Sequence, residues 1–490
     1  MKNFFSLFVL CLLLSCTPVN QGSSSRLTSQ PNMGGVSIFL SASQHLPQDV
    51  SFSLGGLALF NGSTWVELSE EKFSLSSIAI GKGQKLLGFF YVPPAGYTKL
   101  RVRAGDGTID KKTLPLAEKS EEQVGEMVFD IKLNVQTGDR ICLLIDWLVK
   151  PSVHENLFSP TLVVIPQSPP LTRELLYAAC TTLDAIFVVR MDTNHVVGSF
   201  GIKGDPTYLR MDTENQILYV LAQKARQIIG LDLNGNRVLS RINISGLYNP
   251  KYWALSHDGE WAFVVDPDRY ILQKVDVKSG FLNKQVILDR PLGRLEYIQL
   301  DEPGARYSKG RYSKAVLAVT RPNSGLVSLF DPESLVLLSS ETMSSATRTP
   351  TAGINTGMNP ESLLYHKGIL YICDSGTNTV TIFDLVHGRT MARISVGIHP
   401  QELLIGKYDH IYVSNTGSNS ISILAPRQSS PLKEIDGPPR PSVMVQNTRR
   451  GQFYVASEET PTITVMDLNS DKGMAQIPLP DHAFSLAVFE

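Results

Sequence analysis

The stretch "LYICDSGTNTVTIFDL" at residues 370–385 returns in similar form as "IYVSNTGSNSISILAP" at residues 411–426. Each copy contains a short apolar run, a polar turn rich in Ser, Gly, Thr and Asn, and a second run in which apolar and polar residues alternate. Alternation with a period of two, bounded by turn-forming residues, is typical of two antiparallel strands joined by a tight hairpin. Because the chain encodes this hairpin twice, it is predicted to contain a structural repeat.

The repeat extends across the C-terminal two-thirds of the chain. Seven copies align on one apolar anchor in the first run of each: Tyr177, Tyr219, Phe263, Leu317, Tyr371, Tyr412 and Tyr454. Successive anchors are 42, 44, 54, 54, 41 and 42 residues apart, and the two long steps predict insertions near residues 290–314 and 335–356. In six copies the second run ends in an aspartate, and these are Asp192, Asp232, Asp276, Asp331, Asp384 and Asp467.

Each copy also encodes two further strands. One follows the aspartate, as at residues 195–202 and 389–396, and another begins after a Gly or Asn and a Pro and leads into the next copy. Four short strands per unit of about 40 residues, repeated several times, predict a β-propeller, here with seven blades and with the leading strand innermost. A four-stranded sheet cannot bury both of its faces alone, so the stacking of neighbouring sheets has to form the core.

The two ends of the repeat region are predicted to meet. The first copy has no leading strand of its own, while the chain ends on "FSLAVF" at residues 484–489, which has the leading-strand pattern. We therefore expect the C-terminal strand to complete the first sheet and to hide an edge that could otherwise pair with other chains.

The stretch "IYVSNTGSNSISIL" resembles the YVTN family of propeller repeats, whose pattern is Tyr-Val-x-Asn, a turn, and then Val-x-Val-Ile-Asp. The resemblance covers about residues 171–490 and implies a propeller fold. YVTN-like propellers resemble sugar-lactone hydrolases and the propeller parts of some redox enzymes, but a fold does not by itself select a function.

Residues 34–166 form a separate predicted domain before the connector and propeller of residues 167–490. Short strand-like runs such as "GVSIFLS", "KLLGFFYV" and "RICLLIDWLV" alternate with turn signals, which predicts an antiparallel β-sandwich. The order "GVSIFLS", "VPPAGYTKLRV" and "SPTLVVIP" resembles an uncharacterised domain family of bacterial lipoproteins that is taken to be immunoglobulin-like. That resemblance implies a fold and no activity.

The N-terminus has the pattern of an export signal. Lys2 precedes an apolar run at residues 4–14 that is too short to span a membrane, and the run ends in Leu13-Leu14-Ser15-Cys16. This ending resembles the lipobox of bacterial lipoproteins, which implies that residues 1–15 are a signal peptide, that Cys16 carries fatty acyl chains such as palmitate, and that residues 16–33 form a flexible tether. An ordinary cleaved signal with an incidental cysteine is the alternative.

Lipidation would place the protein in the bacterial cell envelope. The residue after Cys16 is Thr17 rather than Asp, which favours the outer membrane or the cell surface over the cytoplasmic membrane. The chain has 45 basic and 46 acidic side chains, and this balance argues against nucleic acid as a partner, because binding to phosphates requires clustered positive charge.

The sequence contains no recognisable catalytic or cofactor-binding motif. It lacks Gly-x-Ser-x-Gly, a P-loop and a Gly-x-Gly-x-x-Gly after a strand, and its nine histidines do not form a metal-binding spacing. Cys142, Cys180 and Cys373 each lie alone in an apolar run, which predicts buried free thiols. The repeated aspartates are predicted to accept backbone N–H groups at the start of a turn rather than to bind ligands. We therefore predict no catalytic residue, no metal site and no cofactor.

The loops that join the second to the third strand and the fourth to the first gather at one face of a propeller, and exposed polar residues on such loops often bind ligands. The candidate binding residues on these loops are Arg226, Asp266, Arg269, Tyr270, Arg321, Asp374, Asn378, His399, Asn415, Asn419, Arg440 and Glu458. The alternative is that they are ordinary solvated loop residues.

The sequence therefore predicts a lipid-anchored, non-enzymatic scaffold that binds a protein or glycan partner through this face. The alternative function is a propeller enzyme of the lactonase, hydrolase or redox type. The sequence does not identify the ligand, the oligomeric state, or the side of the membrane that holds the anchor.

Overall fold

The computed structural model describes residue 30 and residues 32–117, 125–167, 174–233, 237–300, 315–338, 353–426 and 428–490. The fold is almost entirely β, with 60% of the described residues in strands and 3% in helices. The predicted signal peptide, Cys16 and most of the predicted tether lie outside the described residues.

The N-terminal region contains twelve strands among its described residues. They are β1 (Gly34–Ser43), β2 (Val50–Phe60), β3 (Trp65–Ser69), β4 (Phe73–Ser76), β5 (Gln84–Val92), β6 (Ala95–Ile109), β7 (Lys112–Leu114), β8 (Glu126–Val135), β9 (Arg140–Leu148), β10 (Val153–His154), β11 (Leu157–Phe158) and β12 (Thr161–Pro166). One sheet has the order β12-β9-β1-β5, and the other has the order β3-β2-β6-β7 with β4 beside β2 and β8 beside β6. A single turn of helix, α1 (Ser77–Ile80), follows β4.

The core between these two sheets is built around Trp147, which is fully buried. Its ring packs edge-on against Phe52 with 4.8 Å between centroids, and its indole N–H donates to the Ser152 hydroxyl at 3.0 Å. One prediction needs correction: β1 and β9 pair in parallel, so the sandwich is not purely antiparallel. β1 lies between β5 and β9, and the long path from β1 to β9 along the chain lets β9 enter the sheet in the same direction.

The C-terminal region contains seven four-stranded antiparallel sheets among its described residues. Sheet 1 contains β13 (Leu175–Cys180), β14 (Ala185–Arg190) and β15 (His195–Gly201), sheet 2 contains β16 (Pro206–Asp212), β17 (Ile217–Ala222), β18 (Gln227–Asp232) and β19 (Arg237–Asn243), sheet 3 contains β20 (Tyr252–Leu255), β21 (Trp261–Asp266), β22 (Ile271–Asp276) and β23 (Leu282–Ile287), and sheet 4 contains β24 (Leu295–Gln299), β25 (Ala315–Arg321), β26 (Leu326–Phe330) and β27 (Ile354–Asn355).

The remaining sheets continue the same order. Sheet 5 contains β28 (Pro360–His366), β29 (Ile369–Asp374), β30 (Thr379–Asp384) and β31 (Arg389–Ser395), sheet 6 contains β32 (Pro400–Ile405), β33 (Ile411–Asn415), β34 (Ser420–Leu424) and β35 (Lys433–Asp436), sheet 7 contains β36 (Pro441–Asn447), β37 (Gln452–Ser457), β38 (Thr462–Asp467) and β39 (Gly473–Pro478), and the last strand is β40 (Ser485–Phe489).

The leading strands of the sheets form a ring. In the order β40, β16, β20, β24, β28, β32, β36, each leading strand contacts the next, and β36 contacts β40 again. β40 is the fourth strand of sheet 1, where it pairs antiparallel with β13 from Leu175 opposite Phe489 to Ala179 opposite Ser485. The prediction that the C-terminal strand completes the first sheet is therefore confirmed. The arrangement is a β-propeller-like all-β fold.

The anchors of the repeat form the contacts between sheets. Tyr177, Tyr219, Tyr371 and Tyr412 each lie in an apolar cluster shared with the following sheet, and Tyr454 joins the last sheet to sheet 1. An aromatic ring buries a large area in a single side chain. This explains why an aromatic residue returns at this position in most copies.

The aspartate that ends the third strand starts the next turn in several copies. One carboxylate oxygen accepts two backbone N–H groups at Asp331, Asp384 and Asp467, and Asp276 accepts the N–H of Ser279 at 2.6 Å. Hydrogen bonds of this kind favour the charged form of a carboxylate, and the pKa values of all four aspartates are lowered. The turn-forming role predicted for these residues is confirmed.

The sandwich packs against the outermost strand of sheet 1. The Gln84 amide donates to the Val196 carbonyl at 3.1 Å and accepts the Val196 N–H at 2.8 Å, and Gln167 makes the same two-sided contact with the backbone of Ser199. The two glutamines thus form hydrogen bonds with backbone groups on the open edge of β15. Phe39 and Phe89 of the sandwich add apolar contacts within the cluster formed by sheets 1 and 7.

Removing residues 484–490 deletes β40 and tests the closure of the ring. The truncation exposes the edge of β13 and removes Leu486 and Phe489 from two apolar clusters. We therefore expect the free energy of unfolding to fall by roughly 5 kcal/mol or more. Chemical denaturation measures this loss, and light scattering detects self-association through the open edge. Removal of Glu490 alone, which loses only its hydrogen bonds from Thr448, is the matched control and should cost far less than the longer truncation. If removal of residues 484–490 left the denaturation midpoint unchanged, closure of the ring by β40 would be contradicted.

Candidate functional site

One end of the C-terminal region carries two sets of loops. Because the strands of each sheet are antiparallel and follow one another in order, the loops from second to third strand and from fourth to first strand emerge at the same end. We call this surface the loop face; among the described residues it comprises residues 181–184, 203–206, 223–226, 245–250, 267–270, 288–294, 322–325, 356–359, 375–378, 397–399, 416–419, 437–440, 458–461 and 480–484.

The fourth-to-first loops have a recurrent backbone geometry. The residue before the proline that recurs in these loops has a positive φ in four of them, with values of 57° at Asp205, 56° at Asn359, 57° at His399 and 46° at Arg440. The carbonyl groups of these residues accept a hydrogen bond from the start of the adjacent hairpin, at 3.0 Å or 3.1 Å in each case. Each pair of neighbouring loops is therefore tied together by backbone contacts.

Two of the predicted binding residues support this geometry directly. The side-chain oxygens of Asn378 and Asn419 accept the backbone N–H groups of His399 and Arg440 at 2.9 Å and 2.8 Å. Both asparagines also have positive φ values of 55°, which asparagine tolerates better than most residues. Their amide oxygens are thus used within the fold.

Three predicted residues at the ends of second strands are fully buried. Asp266 accepts the backbone N–H groups of Tyr248 and Asn249 at 2.6 Å and 2.9 Å, and the Asn415 amide donates to Ser422. Burial raises the pKa of Asp374, although hydrogen bonds from Thr381 and Thr379 partly oppose this effect. These polar side chains hold the loops from within and are not available at the surface.

The remaining predicted residues differ in accessibility. Arg321 is buried and donates to the Ser328 hydroxyl at 2.8 Å, and Arg440 forms an ion pair with Glu458 at 2.7 Å. Arg226 and Arg269 both contact the Tyr248 ring. Their guanidinium carbons lie 5.8 Å and 5.1 Å from its centroid. Tyr270 takes a positive φ of 57° at the turn, and its carbonyl accepts the N–H of Leu288.

The loop face also exposes large apolar side chains that the sequence reasoning did not single out. Tyr248, Met358 and Ile398 are 58%, 51% and 57% exposed, and each lies two residues before the proline that opens the next sheet. We call these three residues the apolar collar. The signal was present in the sequence, because the motifs Tyr-Asn-Pro, Met-Asn-Pro and Ile-His-Pro place an apolar residue at the same position of three loops.

A cavity of about 340 Å³ lies on the axis of the ring, and all seven leading strands contribute to its lining. We call it the axial cavity; its polar lining residues are Tyr208, Arg210, Tyr252, Arg294, Glu296, Ser362, Glu402 and Ser485. Its volume lies at the lower end of the range of about 300–1,000 Å³ typical of small-molecule pockets.

One ion pair spans part of the axial cavity. Arg294 of sheet 4 and Glu402 of sheet 6 pair directly, and the Ser362 hydroxyl of the intervening sheet donates to the same carboxylate at 2.8 Å. The Arg294 guanidinium also lies 5.6 Å from the centre of the Tyr208 ring. Because both charged groups are largely shielded from water, removing either partner would leave the other uncompensated.

Two other charged side chains of the axial cavity are not paired with each other. Within the part of the chain that the structure describes, the Glu296 carboxylate has no hydrogen-bond or ion-pair partner, and Arg210 donates only to the Leu209 carbonyl at 3.1 Å. Glu296 keeps part of its surface accessible in the cavity but is surrounded by protein at longer range. This burial raises its pKa to about 7, the Arg210 charge opposes the rise and the Glu402 charge adds to it.

Among the described residues, no cluster of three or more His, Cys, Asp or Glu side chains is placed to hold a metal ion. The thiols of Cys142, Cys180 and Cys373 are free and buried, as the sequence predicted. Burial raises the pKa of Cys142 to about 12, so this thiol stays protonated near neutral pH.

None of the helices in the described segments is long and apolar enough to cross a membrane. No protein-family model matches the sequence, and no curated protein sequence matches it. The fold, in contrast, is common among solved structures, of which 1393 chains match.

Three solved structures illustrate the likeness. A protein of unknown function from Desulfotomaculum acetoxidans DSM 771 matches with a TM-score of 0.52 at 12% identity, over 64% of this chain and 99% of its own. Dihydro-haem d1 dehydrogenase NirN in complex with DHE gives 0.46 at 12% identity, over 64% and 66%. The β-propeller domain of Myceliophteria thermophila Cps50 (Swd1) gives 0.44 at 11% identity, over 57% and 87%. At these identities the likeness concerns the fold alone.

The raised pKa of Glu296 predicts a pH-dependent stability difference between the protein and its Glu296→Gln variant. The carboxyl pKa is near 4.5 in the unfolded chain and about 7 in the folded protein, so the favourable contribution of the protonated group is complete below pH 4.5 and is lost as the pH rises to about 7. Glutamine keeps the volume without the charge. We expect the variant to match the protein at pH 4 and to exceed it by about 1–3 kcal/mol at pH 8 in denaturant unfolding. If the difference in unfolding free energy between the two proteins stayed constant across this pH range, the raised pKa of Glu296 would be contradicted.

Proposed function

We propose that the chain is a cell-envelope lipoprotein that acts as a non-enzymatic binding scaffold and recognises a protein partner through its loop face. In this proposal the C-terminal region is a seven-bladed β-propeller of the YVTN type, and residues 34–166 are an immunoglobulin-like sandwich. Acylation of Cys16 anchors the chain in the outer membrane or at the cell surface, with residues 16–33 as the tether.

The observation that carries the proposal is the apolar collar. Tyr248, Met358 and Ile398 expose more than half of their surface at equivalent positions of three loops on one face. Exposed apolar surface on one face of a protein is a common feature of interaction sites. The composition also matches protein interfaces, which are enriched in Tyr, Met and Arg, because Arg226 and Arg269 lie against Tyr248.

The rigidity of the loop face supports the same proposal. The buried groups of Asp266 and Asn415 and the amide oxygens of Asn378 and Asn419 fix the loop backbones from below. A pre-organised surface loses little conformational entropy when a partner binds. A protein partner is favoured over a glycan, because the collar presents apolar side chains rather than a row of free hydrogen-bonding groups.

Site-specific crosslinking in the native envelope tests this function. A photo-reactive phenylalanine analogue replaces Ile398 in one variant and Tyr408 in another; Tyr408 is 74% exposed and lies in the turn between β32 and β33, on the opposite face. We expect a discrete protein adduct from position 398 and none from position 408. An Arg269→Ser and Tyr248→Ser double variant should lower the yield of that adduct at least fivefold. Equal adducts from both faces, or adducts to glycan only, would refute recognition of a protein by the loop face.

The anchor is tested separately by metabolic labelling with radioactive palmitate in a bacterial host. We expect the full chain to incorporate the label and to sediment with membranes, and the Cys16→Ala variant to lose both properties. Retention of the label by the variant would show that the chain is acylated elsewhere and that Cys16 is not the anchor.

A further inference from the structure

The lining of the axial cavity contains two opposite charges that do not form an ion pair with each other. Arg294 and Glu402 are already paired, which leaves the guanidinium of Arg210 and the carboxylate of Glu296 as the unpaired charges of the lining. Arg210 belongs to sheet 2 and Glu296 to sheet 4, so one sheet lies between them. The four charges sum to zero, and the cavity therefore has no net preference for an anion or a cation.

The strands that separate the charges carry different side chains. Arg294 and Glu402 are separated by one sheet, and the strand between them carries the small Ser362, which donates to the carboxylate. Arg210 and Glu296 are also separated by one sheet, and the strand between them, β20, carries Tyr252, whose ring centroid lies 5.5 Å from that of Tyr208. Arg210 and Glu296 are not paired, although the Arg210 charge acts on the pKa of Glu296.

Part of the lining of the axial cavity is apolar. Leu364 of β28 and Val443 and Val445 of β36 belong to this part, on either side of the strand that carries Glu402, and all three keep part of their surface accessible. A molecule in this cavity thus meets an unpaired cation, an unpaired anion and aliphatic carbon. Its volume of about 340 Å³ suits a molecule of the size of an amino acid.

We propose that the axial cavity binds a small zwitterion with an apolar side chain, of the chemical class of the α-amino acids. Its carboxylate binds the Arg210 guanidinium, whose fork of N–H groups is suited to a planar anion. Its ammonium group binds the Glu296 carboxylate, and its side chain packs on Leu364, Val443 and Val445. The site is independent of the loop face and of any protein partner.

The charges around Glu296 set the expected pH dependence. Arg210 on β16 and Glu402 on β32 act on it electrostatically, Arg294 lies on the same segment of chain, and Tyr252 lies on the neighbouring strand β20. The Glu296 carboxyl has a pKa of about 7 when the cavity is empty, and an ammonium group binds its ionised form. Affinity for the zwitterion therefore rises between pH 6 and pH 8.

The test is titration calorimetry on the full chain in detergent, with L-leucine, L-valine, L-methionine and L-phenylalanine as probes. At least one should bind with a dissociation constant of about 1 mM or lower. For that probe, the amide without the carboxylate and the acid without the amine should each bind at least tenfold more weakly. Absence of binding by all four probes would overturn the proposal.

Variants assign the binding to the axial cavity. Glu296→Gln and Arg210→Gln should each weaken binding at least tenfold, and Glu296→Gln should also abolish the rise in affinity between pH 6 and pH 8. Glu214→Gln, at an exposed turn between β16 and β17, is the matched control and should bind as the unmodified protein does. Unfolding curves verify that each variant is folded. Binding that persists in both cavity variants would place the ligand elsewhere and refute the site.

Discussion

The pairing of β40 with β13 is the contact on which the rest of the C-terminal structure depends. Each four-stranded sheet exposes two apolar faces, and each face is covered only by a neighbouring sheet. A row of such sheets would leave one face and one strand edge open at each end. The last five-residue strand removes this problem, because it joins the end of the chain to its first repeat and lets sheet 7 pack on sheet 1 through Tyr454.

The same constraint explains how the N-terminal sandwich is held. Closure of the ring covers the inner edges of the sheets but leaves outer strands such as β15 open. The amide groups of Gln84 and Gln167 mimic a neighbouring backbone on that edge, and the apolar contacts of Phe39 and Phe89 surround them. Gly201 shows how close the two regions approach, since a Cβ atom there would lie 2.1 Å from the Gly138 carbonyl oxygen. The sandwich therefore protects an edge that could otherwise recruit other chains.

The repeat was predictable because its signals are local. The anchors, the turn aspartates and the unmatched C-terminal strand can be read from neighbouring residues, and they specify the sheets and the closure. The parallel pairing of β1 and β9 was not predictable, because it joins segments that lie far apart in the sequence. The role of Asp266 was also hidden: the sequence shows a polar loop residue, whereas its burial depends on the two backbone N–H groups of a loop in the same sheet.

The axial cavity was the least accessible to sequence reasoning, for a specific physical reason. Its side chains come from seven strands that are about 40 residues or more apart in the chain. The sequence therefore does not show that Arg294 pairs with Glu402 across one sheet, with the Ser362 hydroxyl donating to the same carboxylate. Nor does it show that Arg210 and Glu296, also separated by one sheet, are not paired. A ring of leading strands brings side chains that are distant in the sequence to one axis, so the charges that stay available there depend on which pairs form across the ring.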